Sequence, residues 1–186
     1  MDKQLFHRQV IARSLQDMKV ELSDEFDRNF TRKAFFSKKW KDTKFPNKKG
    51  SLLMRSGALR GSIRSRISTG AIEFTSNLPY AAIHNNGGEI TVTKKMRGYF
   101  FYKLKETRKK YGYKKDGSKR NNAYNERLSD EEQFYRAMAG KKVGSKIIIP
   151  QRQFIGQSPE TDRIIEDIVK ENINDFFKNN PIIKKT

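Results

Sequence analysis

The sequence predicts an α+β domain: a long N-terminal helix, a small mainly antiparallel sheet, and a C-terminal helix packed on that sheet. Three observations carry this. Apolar residues recur at helical spacing from Lys3 onward, residues 62–77 alternate in polarity about a Ser-Thr-Gly turn, and a Ser-Pro-Glu start opens a second helical run at Ser158. A chain of 186 residues is long enough for one domain with a real core. It reads as a single domain over 1–186, carrying a basic, insertion-like excursion at about 94–144.

From Lys3 to about Trp40, the positions Leu5, Ile11, Leu15, Met18, Leu22, Phe26 and Phe30 follow steps of mostly three, four or seven without an intervening Pro or Gly. This predicts a long amphipathic helix, with Ser23-Asp24 as the place where a second segment would start. Phe35, Phe36 and Trp40 are expected to pack in the core. Pro46, Asn47 and Gly50 mark a loop over 41–51, and a short helical piece follows from Leu52 to about Gly61. Ile63, Ser65 and Ile67 alternate against Arg64 and Arg66, and Ile72 and Phe74 against Glu73 and Thr75, which predicts two antiparallel strands. Pro79 to His84 reads as one helical turn with Pro at its first position. Asn85-Asn86-Gly87-Gly88 then reads as a turn, and Glu89 to Thr93 as a third strand.

Lys94 to Lys110 combines Met96, Phe100, Phe101 and Leu104 with many cations, the pattern of a basic amphipathic helix. Gly98 weakens that reading and leaves a strand through Tyr99–Tyr102 as the alternative. Tyr111 to Asn125 has no period and reads as a mobile loop, its interleaved tyrosines and cations suited to nucleic acid. Ser129 is expected to cap a short helix through Met138, with Asp130, Glu131 and Glu132 in its first turn and Gly140 closing it. The strand Lys146–Ile149 ends at Pro150. Ser158 and Pro159 then start a last helix to about Phe177, with Ile164, Ile165, Ile168, Val169, Ile173 and Phe176 along one side.

Composition narrows the chemistry. The formal net charge is +19 and the pI about 10.1, so the surface attracts polyanions, whether nucleic acid, acidic membrane or acidic protein. With no cysteine and only His7 and His84 as imidazoles, thiolate nucleophiles and the common zinc sites are ruled out. Met1 to Leu15 mixes charges with isolated apolar residues, so neither a signal peptide nor a membrane span is expected there. His84-Asn85-Asn86 resembles the start of a His-Asn-His nuclease finger, but no histidine follows to complete it. The glycine pairs lack the pattern of a phosphate loop, and Glu160, Asp162, Glu166 and Asp167 read as a solvated helix face. No enzyme, cofactor or metal is expected.

Three segments add positive content. They are Leu53-Met54-Arg55-Ser56-Gly57-Ala58-Leu59-Arg60-Gly61-Ser62-Ile63, Tyr80-Ala81-Ala82-Ile83-His84-Asn85-Asn86-Gly87-Gly88, and Ile149-Pro150-Gln151-Arg152-Gln153-Phe154-Ile155-Gly156. In that order, flanked by two terminal helices, they resemble the phage virion morphogenesis family, the tail-completion proteins of Mu-like phages, whose layout siphophage neck proteins share. The resemblance implies a structural subunit in the virion, at the neck or tail top, that passes through the host cytoplasm during assembly. It also implies a homo-oligomer, a hexameric ring, with tail-terminator, neck, connector or portal-adjacent proteins as partners and no membrane.

Arg60, Tyr80, His84 and Arg152, which lie in those motifs, are the candidate assembly-interface residues. Lys94, Lys95, Lys114, Lys115, Lys119 and Arg120, in the excursion, are the candidates for contact with packaged DNA or an acidic partner. The long basic stretch departs from the family pattern, so its role is not carried by the resemblance. The rival reading is a basic nucleic-acid-binding protein that is not part of the virion. It predicts steeply salt-dependent binding by the isolated chain.

Overall fold

The computed structural model describes residues 3–43 and 50–180. Phe45, Pro46, Asn47, Lys48 and Lys49 of the expected loop, and Pro181, lie outside the described residues. The N-terminal helical run comprises α1 (Lys3–Phe6), a π-helical stretch (His7–Ala12) and α2 (Arg13–Arg32). It does not break at Ser23-Asp24. The Ser23 hydroxyl donates back to the Lys19 carbonyl at 2.6 Å, within the helix, instead of capping a new one. The irregularity lies earlier, in the π-helical turn that carries the buried Val10.

The helix also stops before Trp40. Lys33 adopts a left-handed backbone (φ 55°) and ends α2, after which β1 (Ala34–Phe35) and β2 (Lys38–Lys39) form a minimal ribbon. Phe36, also left-handed at φ 49°, is held in the turn because its N–H reaches Asn29 Oδ1 at 2.9 Å. As expected, Phe35 and Trp40 are buried.

The 52–61 segment is helical only over α3 (Ala58–Gly61). The hairpin forms as predicted, with β3 (Ile63–Ser68) antiparallel to β4 (Ala71–Ser76). Its two-residue connection, Thr69-Gly70, has φ of 52° and 76°, the double left-handed geometry whose twist matches paired strands. The next helix, α4 (Ala81–Asn86), starts later and runs further than one turn, taking in Asn85 and Asn86.

The third strand, β5 (Gly88–Thr91), pairs with β6 (Lys146–Ile149) and not with the hairpin. Among the described residues the antiparallel strands therefore form three separate two-stranded ribbons. Backbone bonds from Val92 to Ser145 (2.8 Å) and from Gly144 to Val92 (2.9 Å) pinch the excursion at its base.

Inside it, α5 (Lys94–Lys109) and α6 (Ala123–Ala139) form a helical hairpin. Tyr99–Tyr102 is helical, since Thr93 caps α5 and Leu104 and Thr107 bury on one side. α6 begins six residues before Ser129, because the Asn122 side chain caps it by accepting from the Asn125 N–H. The intervening loop is tied down. Asn125 accepts from the Gly112 N–H and donates to the carbonyls of Gly112 and Arg120, and Tyr111 is buried.

α7 (Pro159–Asn179) opens with the predicted cap. Ser158 and Thr161 exchange side chain to backbone bonds, with Pro159 in the first turn. It lies antiparallel to the N-terminal helices, as contacts of Asn180 with Gln9 and of Asn172 with Ser14 and Asp17 require.

Two adjoining clusters form the core. Phe30, Trp40, Leu59, Ala81 and Phe154 make one, and Leu22, Phe26 and Phe35, with Phe74, Ile164 and Ile165 against them, make the other. Phe26 and Phe30 lie one turn apart on α2, so a single helix face feeds both. Rings meet edge-on at 4.8 Å (Phe26 with Phe74) and tilted at 5.2 Å (Phe30 with Phe154).

Candidate assembly surface

The three motif segments converge on one irregular strand of chain, residues 150–157, which has no ladder to satisfy its backbone. Side chains do so instead. Asn85 Oδ1 accepts from the N–H groups of Phe154 (2.9 Å) and Ile155 (3.1 Å), and Asn29 Nδ2 donates to the Phe154 carbonyl (3.2 Å). Trp40 Nε1 donates to the Gln153 carbonyl at 2.6 Å, and the Arg152 N–H donates to the His84 carbonyl at 2.8 Å. Pinned on both flanks, the segment drives Phe154 against α2, α3 and α4. Its neighbour Ile155, like Ile164 and Ile165 of α7, packs against the cluster of Leu22, Phe26 and Phe35.

Gly87 makes this approach possible. At φ 72° and ψ −178° it sits where only glycine is comfortable, and a Cβ there would lie 2.9 Å from the Gln151 nitrogen. Gly87→Ala is therefore expected to cost about 1–3 kcal/mol, read as a lower urea midpoint with unchanged slope.

Tyr80, His84 and Arg152 adjoin one another, whereas Arg60 is turned to α2. The Arg60 guanidinium takes both carboxylate oxygens of Asp27 on α2, in its own chain. This half-exposed pair contributes about 0–1 kcal/mol. Tyr80 is exposed and meets His84 edge-on, ring centroids 6.1 Å apart. Burial, and then the nearby charge of Arg152, push the His84 pKa below its usual value. Arg152 is buried, and its guanidinium donates to the carbonyls of Lys41 (2.9 Å) and Asp42 (3.3 Å), so it anchors the chain after Trp40. Burial lowers its pKa, with the charge of Asp42 opposing. Only Tyr80 of the four presents a largely exposed ring.

The cations of the excursion divide into two kinds. Lys94 and Lys95 open α5 and are exposed, set against the positive end of the helix dipole with no acid in that turn. Lys114 and Lys115 are exposed at the far end, roughly 22 Å along the helix from Lys94. Lys119 and Arg120 are committed within the loop. The Lys119 ammonium sits 3.4 Å above the Tyr111 ring centroid, and Arg120 Nε donates to the Tyr113 carbonyl at 3.0 Å. Cations thus run along the hairpin and do not converge.

Phe100 packs against Phe134 and Tyr135 across the hairpin, and Glu132, mid-helix in α6 and not in a first turn as expected, adds an ionic tie. Glu132 is buried and receives Arg136 (2.7 Å), Arg108 (2.9 Å) and the Tyr111 hydroxyl (3.0 Å), with Lys119 at 3.7 Å. Burial pushes its pKa up, but the hydrogen bonds from Arg136, Arg108 and Tyr111 and the charge of Lys119 outweigh it and bring the value to about 2. The i, i+4 spacing from Glu132 to Arg136 was the available signal; Arg108 and Tyr111 are close only through the fold.

Among the described residues, no three His, Asp or Glu side chains gather as a metal site. None of the described helices is long and apolar enough to cross a membrane. The arrangement offers surfaces: a polar-pinned α+β body and a stiff basic arm, the parts of an assembly protein. The chain belongs to the phage virion morphogenesis family, whose model matches residues 14–174. That is a structural and assembly family, so its role is in building a bacteriophage virion. No curated protein and no solved structure matches the chain.

Proposed function

We propose that this chain completes the head-proximal end of the tail, or forms part of the neck that joins tail to head, as a ring of identical subunits, six in number. The observation that carries the reading is family membership over 14–174, a span that takes in all three convergent segments and the basic arm. Tail-terminator, connector or portal-adjacent proteins are the neighbours above and below the ring. The arm's exposed cations face an acidic partner or the path of the packaged DNA. Support for that comes from Lys94 and Lys95, which oppose the helix dipole and gain nothing locally from doing so.

An infection lacking the chain is expected to accumulate filled heads and finished tails that stay apart, seen by electron microscopy. Normal yields of joined particles would overturn the reading. Replacing Lys114, Lys115, Lys119 and Arg120 together by glutamine should impair joining or DNA retention, and intact values of both would remove the arm's proposed role. Lys119→Met alone, which loses an internal contact, separates a folding defect from a lost surface charge.

A further inference from the structure

The excursion and the body carry complementary surfaces. Residues 94–144 hold sixteen of the forty cations but six of the twenty-one acids, and α5 alone has seven cations to one acid. α7 has the reverse bias, six acids to three cations. On α5, the side away from Leu104 and Thr107 is made by Gly98, Phe101, Tyr102 and Lys105, at helical spacing. Phe101 and Tyr102 are 53% and 58% exposed, and the Lys105 ammonium lies 4.9 Å from the Phe101 ring centroid. Exposed aromatic rings adjacent in sequence are the composition of an interface anchor, and the lysine beside them supplies charge for its rim.

The body has a matching recess. An apolar groove of about 430 Å³ opens between α2, the tip of the β3–β4 hairpin and the start of α7. The partly exposed Leu15, Ile72, Phe74 and Ile165 line it over the buried Leu22 and Phe26, and the exposed Asp162 stands beside them. One turn further along α7 are the exposed acids Glu166 and Asp167.

We propose that Phe101 and Tyr102 of one copy seat in this groove of the next, with Lys105 and its neighbours against Asp162 and the acids beyond it. The inference rests on the ring reading and supplies its subunit contact. Because anchor and groove are different parts of one chain, the contact is head-to-tail, and it repeats until the ring closes. The occupant is a second copy because charge and shape complement each other within the chain itself: aromatic rings with cations meet an apolar recess with acids.

The test uses two variants of the full chain, each altered at an exposed position. Phe101→Ala/Tyr102→Ala removes the anchor, and Ala71→Trp, on the exposed hairpin tip that lines the groove, fills the recess. Circular dichroism and thermal melts confirm that both fold. In sedimentation, each variant alone is expected to associate at least about tenfold more weakly than the wild type. An equimolar mixture should form a one-to-one dimer and nothing larger, since one intact anchor meets one intact groove.

Wild-type association by the groove-filled variant, or a mixture that stays monomeric, overturns the contact. In assembled particles, the cysteine-free chain permits a Tyr102→Cys/Ala71→Cys variant with a short bis-maleimide. The expected product is a ladder that needs both cysteines. A ring seen in particles without that ladder sinks the contact alone, whereas particles that hold single unpaired copies sink the ring reading as well. DNA or another phage protein on α5 would show as joined particles unaffected by Ala71→Trp, which also overturns it.

Discussion

Phe154→Ala is expected to destabilise the protein by about 3–5 kcal/mol, with a fall in Tm of about 10 °C. The ring is fully buried, at 0% exposure, between Phe30, Trp40, Leu59 and Ala81. Its backbone is held by Asn85 on the N–H side and Asn29 on the carbonyl side, so the segment cannot slide to refill the space. The cost therefore includes the cavity as well as lost transfer energy. Tyr124→Ala, at a side chain 54% exposed, serves as control and should shift stability by no more than about 0.5 kcal/mol. Chemical denaturation of the two variants side by side checks both values. Equal effects would mean that the convergence of the motif segments is not what organises the core.

Glu132→Gln is expected to have the second largest effect, and to act on the arm. A native pKa of about 2 against an ordinary 4.5 corresponds to roughly 3 kcal/mol of preferential binding of the charged form. Arg108, Lys119 and Arg136 are each at least half exposed, so solvent screening trims the expected loss to about 2 kcal/mol. Because the native pKa is depressed, the contribution is complete above pH 4.5 and disappears as pH falls from there towards 2. Amide protection factors, each referred to the intrinsic exchange rate at the same pH, should fall in α5, α6 and the loop between them, in the variant at neutral pH and in the wild type at about pH 3, while α2 keeps its protection. The variant should lose the part of that pH dependence that Glu132 carries, leaving the parts due to Glu106 and Asp116, whose pKa values Lys109 and Ser118 also lower. If exchange in the arm is unchanged by the substitution, Glu132 is not what braces it.

Local signals were legible in the sequence. The helical period of Met18, Leu22, Phe26 and Phe30, the alternation about Thr69-Gly70, and the Ser158-Pro159 start each act within a few residues, and each element formed where its signal stood. Choices between near neighbours were less so. Asn122 and Ser129 are both competent caps, and the buried positions Asn125 and Leu128 decide in favour of the earlier one. Lys33 and Phe36 take left-handed backbones without being glycine, because Asn29 and the burial of Phe35 and Trp40 dictate the turn.

The candidate surface was legible only as a set of motifs. The contact from Asn85 to Phe154 spans 69 residues and that from Asn29 spans 125, so no spacing rule could have assigned either asparagine its role. Of the interface candidates, Arg152 is buried against backbone carbonyls and Arg60 is paired to Asp27, contacts that no local pattern announces. The basic character of the excursion is legible in its composition, but Asp130, Glu131 and Glu132 look alike in the sequence, and only the fold brings Arg108 and Tyr111 to Glu132.

Whether this virion protein sits in a ring where tail meets head is decided by a cryo-electron microscopy reconstruction of the intact particle. Density for the α2–α7 body is expected, repeated around the tail axis at the head-proximal end, with the α5–α6 arms reaching to the adjacent copy. Particles whose head–tail junction contains no density for this chain would contradict that placement.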